Sequence, residues 1–222
     1  MAAIVLAAGG SVRMRPAHKL LLPIGGEALI RRAVRSAREA ELFPIIVVVG
    51  YRGNEAAAAV ADLGVICLPN PEWETGIASS IRAGIAALPD DCPGTVILLA
   101  DMPRVDASHL RRLSNAFASN EEAGILIPTY RGRRGNPLIW SRRHFAALAA
   151  LSGDRGGSAL LVQLGPFVRE VPMEDDGVLV DLDTPDEFRR EVLRALSRGK
   201  GSDPKGRCPE RELLLSPSNG KR

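Results

Sequence analysis

Three stretches of this chain are apolar almost without interruption: residues 2–8 (AAIVLAA), 44–50 (PIIVVVG) and 95–100 (TVILLA). A strand with one wet face alternates apolar and polar residues, and these do not. Short runs of this kind, rich in Ile and Val, fit strands covered on both faces. That is the condition of a parallel sheet held between two layers of helices. The segments between them supply the helices. Residues 27–40 carry Leu29, Ile30, Ala33, Val34 and Ala37 at helical spacing. Residues 54–63 are Ala-rich and helical, and 64–68 read as a further strand, stopped by Pro69-Asn70-Pro71. Residues 77–88 read as a helix. Strand and helix therefore alternate, and the short connections imply right-handed crossovers.

Further along, residues 106–117 predict a helix, 124–128 and 136–140 strands, and 142–151 a helix. Residues 168–171 and 178–182 predict another strand or strand pair. Thr184-Pro185-Asp186-Glu187 opens the last helix, with Thr184 as cap, Pro185 at the first helical position and Glu187 closing a capping box. The expected fold is α/β, three-layered and mostly parallel, with Rossmann-like layering, in one domain over residues 1–197. After Ser197 the composition turns to Gly, Pro, Ser and charge, which predicts a disordered basic tail over 198–222.

Composition and charge narrow the function classes. The 222 residues are 45% hydrophobic and 25% charged, enough to build a core. No run reaches the roughly 18 apolar residues of a membrane span. The N-terminus lacks the basic segment of a secretory signal. Cys67, Cys92 and Cys208 are an odd number without CxxC spacing, against a disulfide framework or a zinc site. These features predict a cytoplasmic protein with no membrane partner. The net charge of +3 hints at nucleic acid, but residues 198–222 alone carry +4, leaving −1 for the rest. With aromatic residues at 4%, a nucleic-acid partner is not expected.

The segment with the most chemistry follows the first apolar run: Leu6-Ala7-Ala8-Gly9-Gly10-Ser11-Val12-Arg13-Met14-Arg15-Pro16-Ala17-His18-Lys19. Small residues let backbone N–H groups come close to a ligand, and consecutive N–H groups in a turn make an anion-binding concavity. Arg13 and Lys19 add full positive charge, which suits a triphosphate. The segment is neither a Walker A loop nor a dinucleotide fingerprint. A plain glycine turn with solvated basic residues is the alternative. His18 reads as incidental, Arg15, Arg31 and Arg32 as a solvated face, His109 and His144 as ordinary helix histidines, and Cys67 as a core thiol. Asp101 ends an apolar strand, where open α/β sheets place ligands. A carboxylate beside a triphosphate can hold Mg²⁺ between them. Asp181 and Asp183 share one face of their segment, opposite Leu182. Asp183 could equally be a capping residue beside Thr184.

LAAGGSVRM and HKLLLPIGG resemble the signature of the nucleotidyltransferases that activate sugar phosphates, methylerythritol phosphate and molybdopterin. GYRGNE (50–55), NPEWETGIASSI (70–81), LLADMP (98–103), RGNPLIW (134–140) and VDLDTPDEF (180–188) follow in family order. Within that family the chain is most similar to the molybdenum cofactor cytidylyltransferases. One departure is Arg15, which stands where the family pattern has Gly, followed by Pro16.

The resemblance implies that Leu6, Ala7, Ala8 and Gly9 line the nucleotide. It makes Arg13 and Lys19 phosphate-binding and, with Asp101, catalytic. It assigns Asp101 and Asp183 to Mg²⁺, Gly76 and Ser80 to base recognition, and Asn136 to the acceptor side, where many members carry His. Ala8 and the Asp pair are similar to the cytidylyl branch. The implied reaction is Mg²⁺-dependent transfer of CMP from CTP to molybdenum-molybdopterin, with a molybdenum hydroxylase as recipient of the product. Use of GTP or another acceptor, and a non-catalytic molybdenum cofactor chaperone, are the alternatives. Asp154-Arg155-Gly156-Gly157 reads as a loop opening a helix, with a phosphate contact or a plain turn as its two uses.

Overall fold

The structure, a computed structural model, describes residues 1–10, 18–120 and 124–198. In chain order its elements are β1 (Ala2–Ala7), a small hairpin of β2 (Pro23–Ile24) and β3 (Glu27–Ala28), α1 (Leu29–Glu39), β4 (Ile45–Val49), α2 (Gly53–Ala58), β5 (Ile66–Pro69) and α3 (Ile77–Ala86). Then come β6 (Gly94–Leu99), α4 (Ala107–Ala118), β7 (Ile125–Tyr130), β8 (Arg133–Arg134), β9 (Leu138–Ser141), α5 (Phe145–Ala149), β10 (Val168–Pro172) and α6 (Pro185–Arg198).

One sheet runs in the order β10-β7-β9-β6-β1-β4-β5, with β8 paired to β7. β1 pairs parallel with both β4 and β6, and β4 pairs parallel with β5. β9 is antiparallel to β6 and β7. The sheet is mostly parallel, as expected for an α/β fold.

Alternation along β1 divides the core. Ala3, Val5 and Ala7 face the layer containing Ile30, Val34, Leu110 and Leu113 of α1 and α4. Ile4 and Leu6 face the layer built on Ala78 and Ile81 of α3 and Phe145 and Leu148 of α5. All six β1 residues are buried, which is why no polar position interrupts the run. α3 lies tightly over β1 at Gly84, where a Cβ would sit 2.6 Å from Ile4 Cγ2. A third cluster joins Phe188 and Val192 of α6 to Ile24, Leu29 and Leu182.

Several boundaries differ from the sequence expectation. Residues 27–28 pair with β2, so α1 starts at Leu29 rather than Glu27. Residues 178–182 are not a strand. Asp176–Leu179 form a 3-10 turn, and the Val178 carbonyl is taken by the Asn136 N–H at 2.9 Å. The loop at 154–157 opens a 3-10 turn, Gly157–Leu160, not a helix. Residues 142–151 split into a 3-10 turn and the five-residue α5. No described helix is long and apolar enough to cross a membrane. The segment 199–222, expected as a tail, lies outside the described residues.

Candidate active site

The chain leaves β1 toward β4 on one side and later returns as β6 on the other. Such a reversal leaves a crevice beyond the carboxyl ends of the two strands, where open α/β sheets bind ligands. A cleft of about 450 Å³ lies there. Leu6, Ala8, Gly9 and Gly10 form its β1 side, and Leu99 and Asp101 its β6 side. Lys19, Gly76, Ser80, Asp181 and Asp183 also line it. The structure thus gathers Leu6, Ala8, Gly9, Lys19, Gly76, Ser80, Asp101 and Asp183 around one space. Ala7 and Asn136 are not among the residues that line it. Ala7 turns its side chain into the opposite core layer by strand alternation. Asn136 sits on the loop bonded to Val178 and does not line the cleft. Arg13 lies outside the described residues.

Local geometry explains how the cleft is held. The Tyr51 N–H donates to the Ala8 carbonyl at 3.2 Å, fixing the turn after β1. Gly50 allows this approach, since a Cβ there would lie 2.8 Å from that oxygen. His18 is buried and structural: its Nε2 meets the Tyr51 carbonyl at 3.0 Å, so that nitrogen carries the proton. Burial, more than any neighbour, pushes the His18 pKa below its ordinary value. Arg31 pairs with Asp62 at 2.6 Å, whereas Arg32 donates to the Ile24 and Pro103 carbonyls and so is a tie, not a solvated residue.

The α3 side is built around Asn70, which sequence reasoning passed over. Its buried amide donates to Ser79 Oγ at 2.8 Å and Ser80 Oγ at 3.0 Å, and its Oδ1 accepts from the Glu72 N–H. With Ser80 Oγ already accepting, its hydroxyl proton is available to a ligand acceptor. Gly76 has φ +111°, and a Cβ would stand 2.5 Å from the Gly153 carbonyl oxygen, so glycine is required. Trp73, Glu74 and Asp154 also line the cleft; the first two belong to the NPEWETGIASSI block, and Asp154 to the loop read as a phosphate contact or a plain turn.

At the charged end of the cleft Lys19 lies between carboxylates. Lys19 Nζ donates to Asp101 Oδ2 at 2.8 Å and Asp183 Oδ1 at 3.3 Å. The Leu182 N–H donates to the Asp101 carbonyl at 3.1 Å, which ties the second carboxylate segment to the first. Leu182 is buried in the α6 cluster, so Asp181 and Asp183 face the cleft without a strand between them. Glu187 accepts from the Asp183 and Thr184 N–H groups at 2.9 Å, which holds its carboxyl below the usual range and completes the capping box. Burial first, then the charges of Asp183 and Asp101, push the Asp181 carboxyl up.

The residues fit a divalent cation. Asp101 Oδ1 is buried with no hydrogen-bond partner among the described residues, an acceptor left for a cation. Among those residues no cluster of three or more His, Cys, Asp or Glu could hold a metal unaided. Mg²⁺ and similar ions use one or two carboxylates and complete their shell with phosphate oxygens and water.

Comparison with known proteins agrees with this geometry. The model of the MobA-like NTP transferase domain matches residues 3–167. The purine catabolism protein PucB of Bacillus subtilis is 30% identical, over 87% of this chain and 96% of its own length. The molybdenum cofactor cytidylyltransferase of Escherichia coli is 26% identical, over 83% of this chain and 92% of its own. Bifunctional GlmU proteins also match, and the chain spans about a quarter of their length. Among solved structures, Rv0371c of Mycobacterium tuberculosis superposes with a TM-score of 0.76 at 30% identity, covering 86% of this chain and 97% of that one. A manganese complex of Rv0371c superposes with a TM-score of 0.72 at 29% identity, over 86% of this chain and 97% of that one.

Proposed function

The chain belongs to the MobA-like NTP transferase family, and from that premise we propose that it transfers CMP from CTP to molybdenum-molybdopterin, releasing pyrophosphate. The observation that carries this reading is the cleft at the strand reversal, where the Ala8-Gly9-Gly10 turn faces Lys19, Asp101 and Asp183. Ala8 and the Asp181–Asp183 pair support the cytidylyl branch, as does the similarity to the E. coli molybdenum cofactor cytidylyltransferase.

In this reading the base and ribose lie between the turn after β1 and the start of α3. Ser80 offers a hydroxyl proton to the pyrimidine edge, oriented by Asn70. Gly76, which also lines the cleft, lets the entrance to α3 pack closely against the Gly153 backbone. The terminal phosphate of the pterin attacks the α-phosphorus of CTP in line, forming a P–O–P bond as the bond to the β-phosphate breaks. A phosphate monoester is largely ionised at neutral pH, so no general base is required. The protein's part is positioning and charge stabilisation. Lys19 and Arg13 neutralise the charge that builds on the α-phosphate and the departing pyrophosphate. Asp101 and Asp183 would hold a divalent cation, which would supply Lewis-acid neutralisation of phosphate charge. The manganese complex of the Rv0371c relative supports a divalent cation here. Residues 1–197 act as the transferase domain, with 198–222 a basic extension outside it.

A second reading is transfer to a different acceptor, since the family match and the 30% identity to PucB support the transferase family without naming an acceptor. The experiment that separates the two follows [α-³²P]CTP and Mg²⁺ with molybdenum-molybdopterin. Label moving to the pterin with equimolar pyrophosphate is the predicted result. Absence of transfer from CTP to the pterin, with transfer to another acceptor, establishes the second reading.

A further inference from the structure

Asn70 is 5% exposed and does not line the cleft, yet its amide sets the direction of the hydrogen bonds at the start of α3. Its orientation is fixed. A backbone N–H can only donate, so the atom 2.9 Å from the Glu72 N–H is the amide oxygen. The amide nitrogen therefore points both of its protons at α3, to Ser79 Oγ at 2.8 Å and Ser80 Oγ at 3.0 Å. The two serines then differ. Ser79 spends its own proton on the Gly76 carbonyl at 2.8 Å. Ser80 is 4% exposed, and its proton has no acceptor among the described residues. Ser80 lines the cleft and Ser79 does not. The network thus runs one way, from the Asn70 amide to the Ser80 oxygen and from the Ser80 proton to a ligand in the cleft.

We infer that Asn70 is a positioning residue that makes Ser80 a donor to the ring nitrogen N3 of the base, and that this polarity selects cytosine over uracil. The inference rests on the CTP reading above and adds the means of discrimination. Cytosine N3 is a bare acceptor, whereas uracil N3 carries a hydrogen. Both bases have an acceptor at O2, so a contact there does not separate them. Toward cytosine, Ser80 donates, and its unspent proton is used. Toward uracil, the N3–H meets a hydroxyl whose proton must turn away, and that proton then has no acceptor among the described residues. A buried donor left unsatisfied in this way gives discrimination of about tenfold. Donation from the amide into the hydroxyl oxygen also strengthens the hydroxyl as a donor. A serine alone would not discriminate, because a hydroxyl rotates to suit either ring.

The test measures Mg²⁺-dependent binding of CTP, UTP and 3-deaza-CTP to the full-length chain by isothermal titration calorimetry. 3-Deaza-CTP has C–H in place of N3. The wild type should bind CTP about tenfold more tightly than either of the others. Ser80→Ala should bind CTP and 3-deaza-CTP alike, and its preference for CTP over UTP should shrink by the same factor. Asn70→Asp keeps the shape, takes the Ser80 proton for its carboxylate and turns the serine oxygen toward the ring. Its preference should move toward UTP by about tenfold. Ratios between nucleotides are read because an added carboxylate or a loosened α3 weakens all three together. Melting temperatures establish that the variants fold. An unchanged CTP-to-UTP ratio in both folded variants overturns the inference and leaves the CTP reading standing. So does wild-type binding of 3-deaza-CTP as tight as that of CTP, which decides the matter even where a variant fails to fold. Tighter wild-type binding of GTP than of CTP overturns the CTP reading and the inference with it.

Discussion

Two residues that line the cleft, Asp101 and Gly76, give the sharpest single-residue tests. Asp101 faces Lys19 with one oxygen and holds the other, buried one without a partner among the described residues. Asp101→Asn keeps the shape and removes the charge. Turnover should fall by about 10³-fold, the scale of losing a preorganised charge at a transition state, while the melting temperature changes little. Steady-state rates and thermal unfolding together decide this. Gly76 poses a backbone question. With φ at +111° and the Gly153 carbonyl oxygen 2.5 Å from an added Cβ, Gly76→Ala should destabilise the fold by about 3 kcal/mol. Denaturant unfolding would measure it. Asn70 shows why part of the site was hard to read. An Asn between two prolines signals a turn by composition, and only the fold reveals that its amide is aimed at Ser79 and Ser80. From the sequence, Lys19 is expected as a cation beside phosphates. Its engagement with Asp101 and Asp183 is not expected, because partners 82 and 164 residues away leave no local pattern.

At the scale of elements, the connections carry the second carboxylate to the first. Arg104, just after the Asp101 turn, donates to Glu191 of α6 at 2.7 Å and to Asp176 at 3.0 Å. Glu191 is largely buried, so Arg104→Met leaves a charge without its partner. The loss should be about 2 kcal/mol, below the full cost for a buried pair because Arg104 and Asp176 stay partly in water. Adding Glu191→Met should restore part of it, and a double-mutant cycle by chemical denaturation would show this. The histidines on two other elements set a pH dependence. Burial lowers the pKa of both His18 and His144 from the ordinary 6.5. The folded state therefore resists protonation that the unfolded chain accepts. Stability should be fully present above about pH 6.5 and decline as pH falls below it, before the carboxylates titrate. His144→Phe should flatten that slope in a pH series of melting temperatures, whereas an unchanged slope would exclude His144 as a source. The strands of this layer were the easiest part to read, because continuous apolar runs have few other uses. Residues 178–182 depart from the strand expectation for a physical reason. Alternation put both aspartates on one face opposite Leu182, and Leu182 is the buried one, but alternation alone does not form a ladder. The Val178 carbonyl is used by Asn136 instead.

For the whole molecule, the reversal of strand order beside β1 decides where a ligand can lie, and the cleft forms there. The proposal that it is a nucleotide site rests on family membership together with the turn after β1, Lys19 and the paired carboxylates. The choice of CTP rests on finer features, chiefly Ala8 and the aspartate pair. The most direct measurement of that choice is thermal stabilisation by CTP, GTP, ATP and UTP, each with and without Mg²⁺. A ligand at about 100 times its dissociation constant adds roughly 2.7 kcal/mol, which a melting curve resolves. A Mg²⁺-dependent shift with CTP that the other three do not match is the predicted result. A larger shift with GTP, or no shift with any nucleotide even when molybdopterin is present, would contradict it.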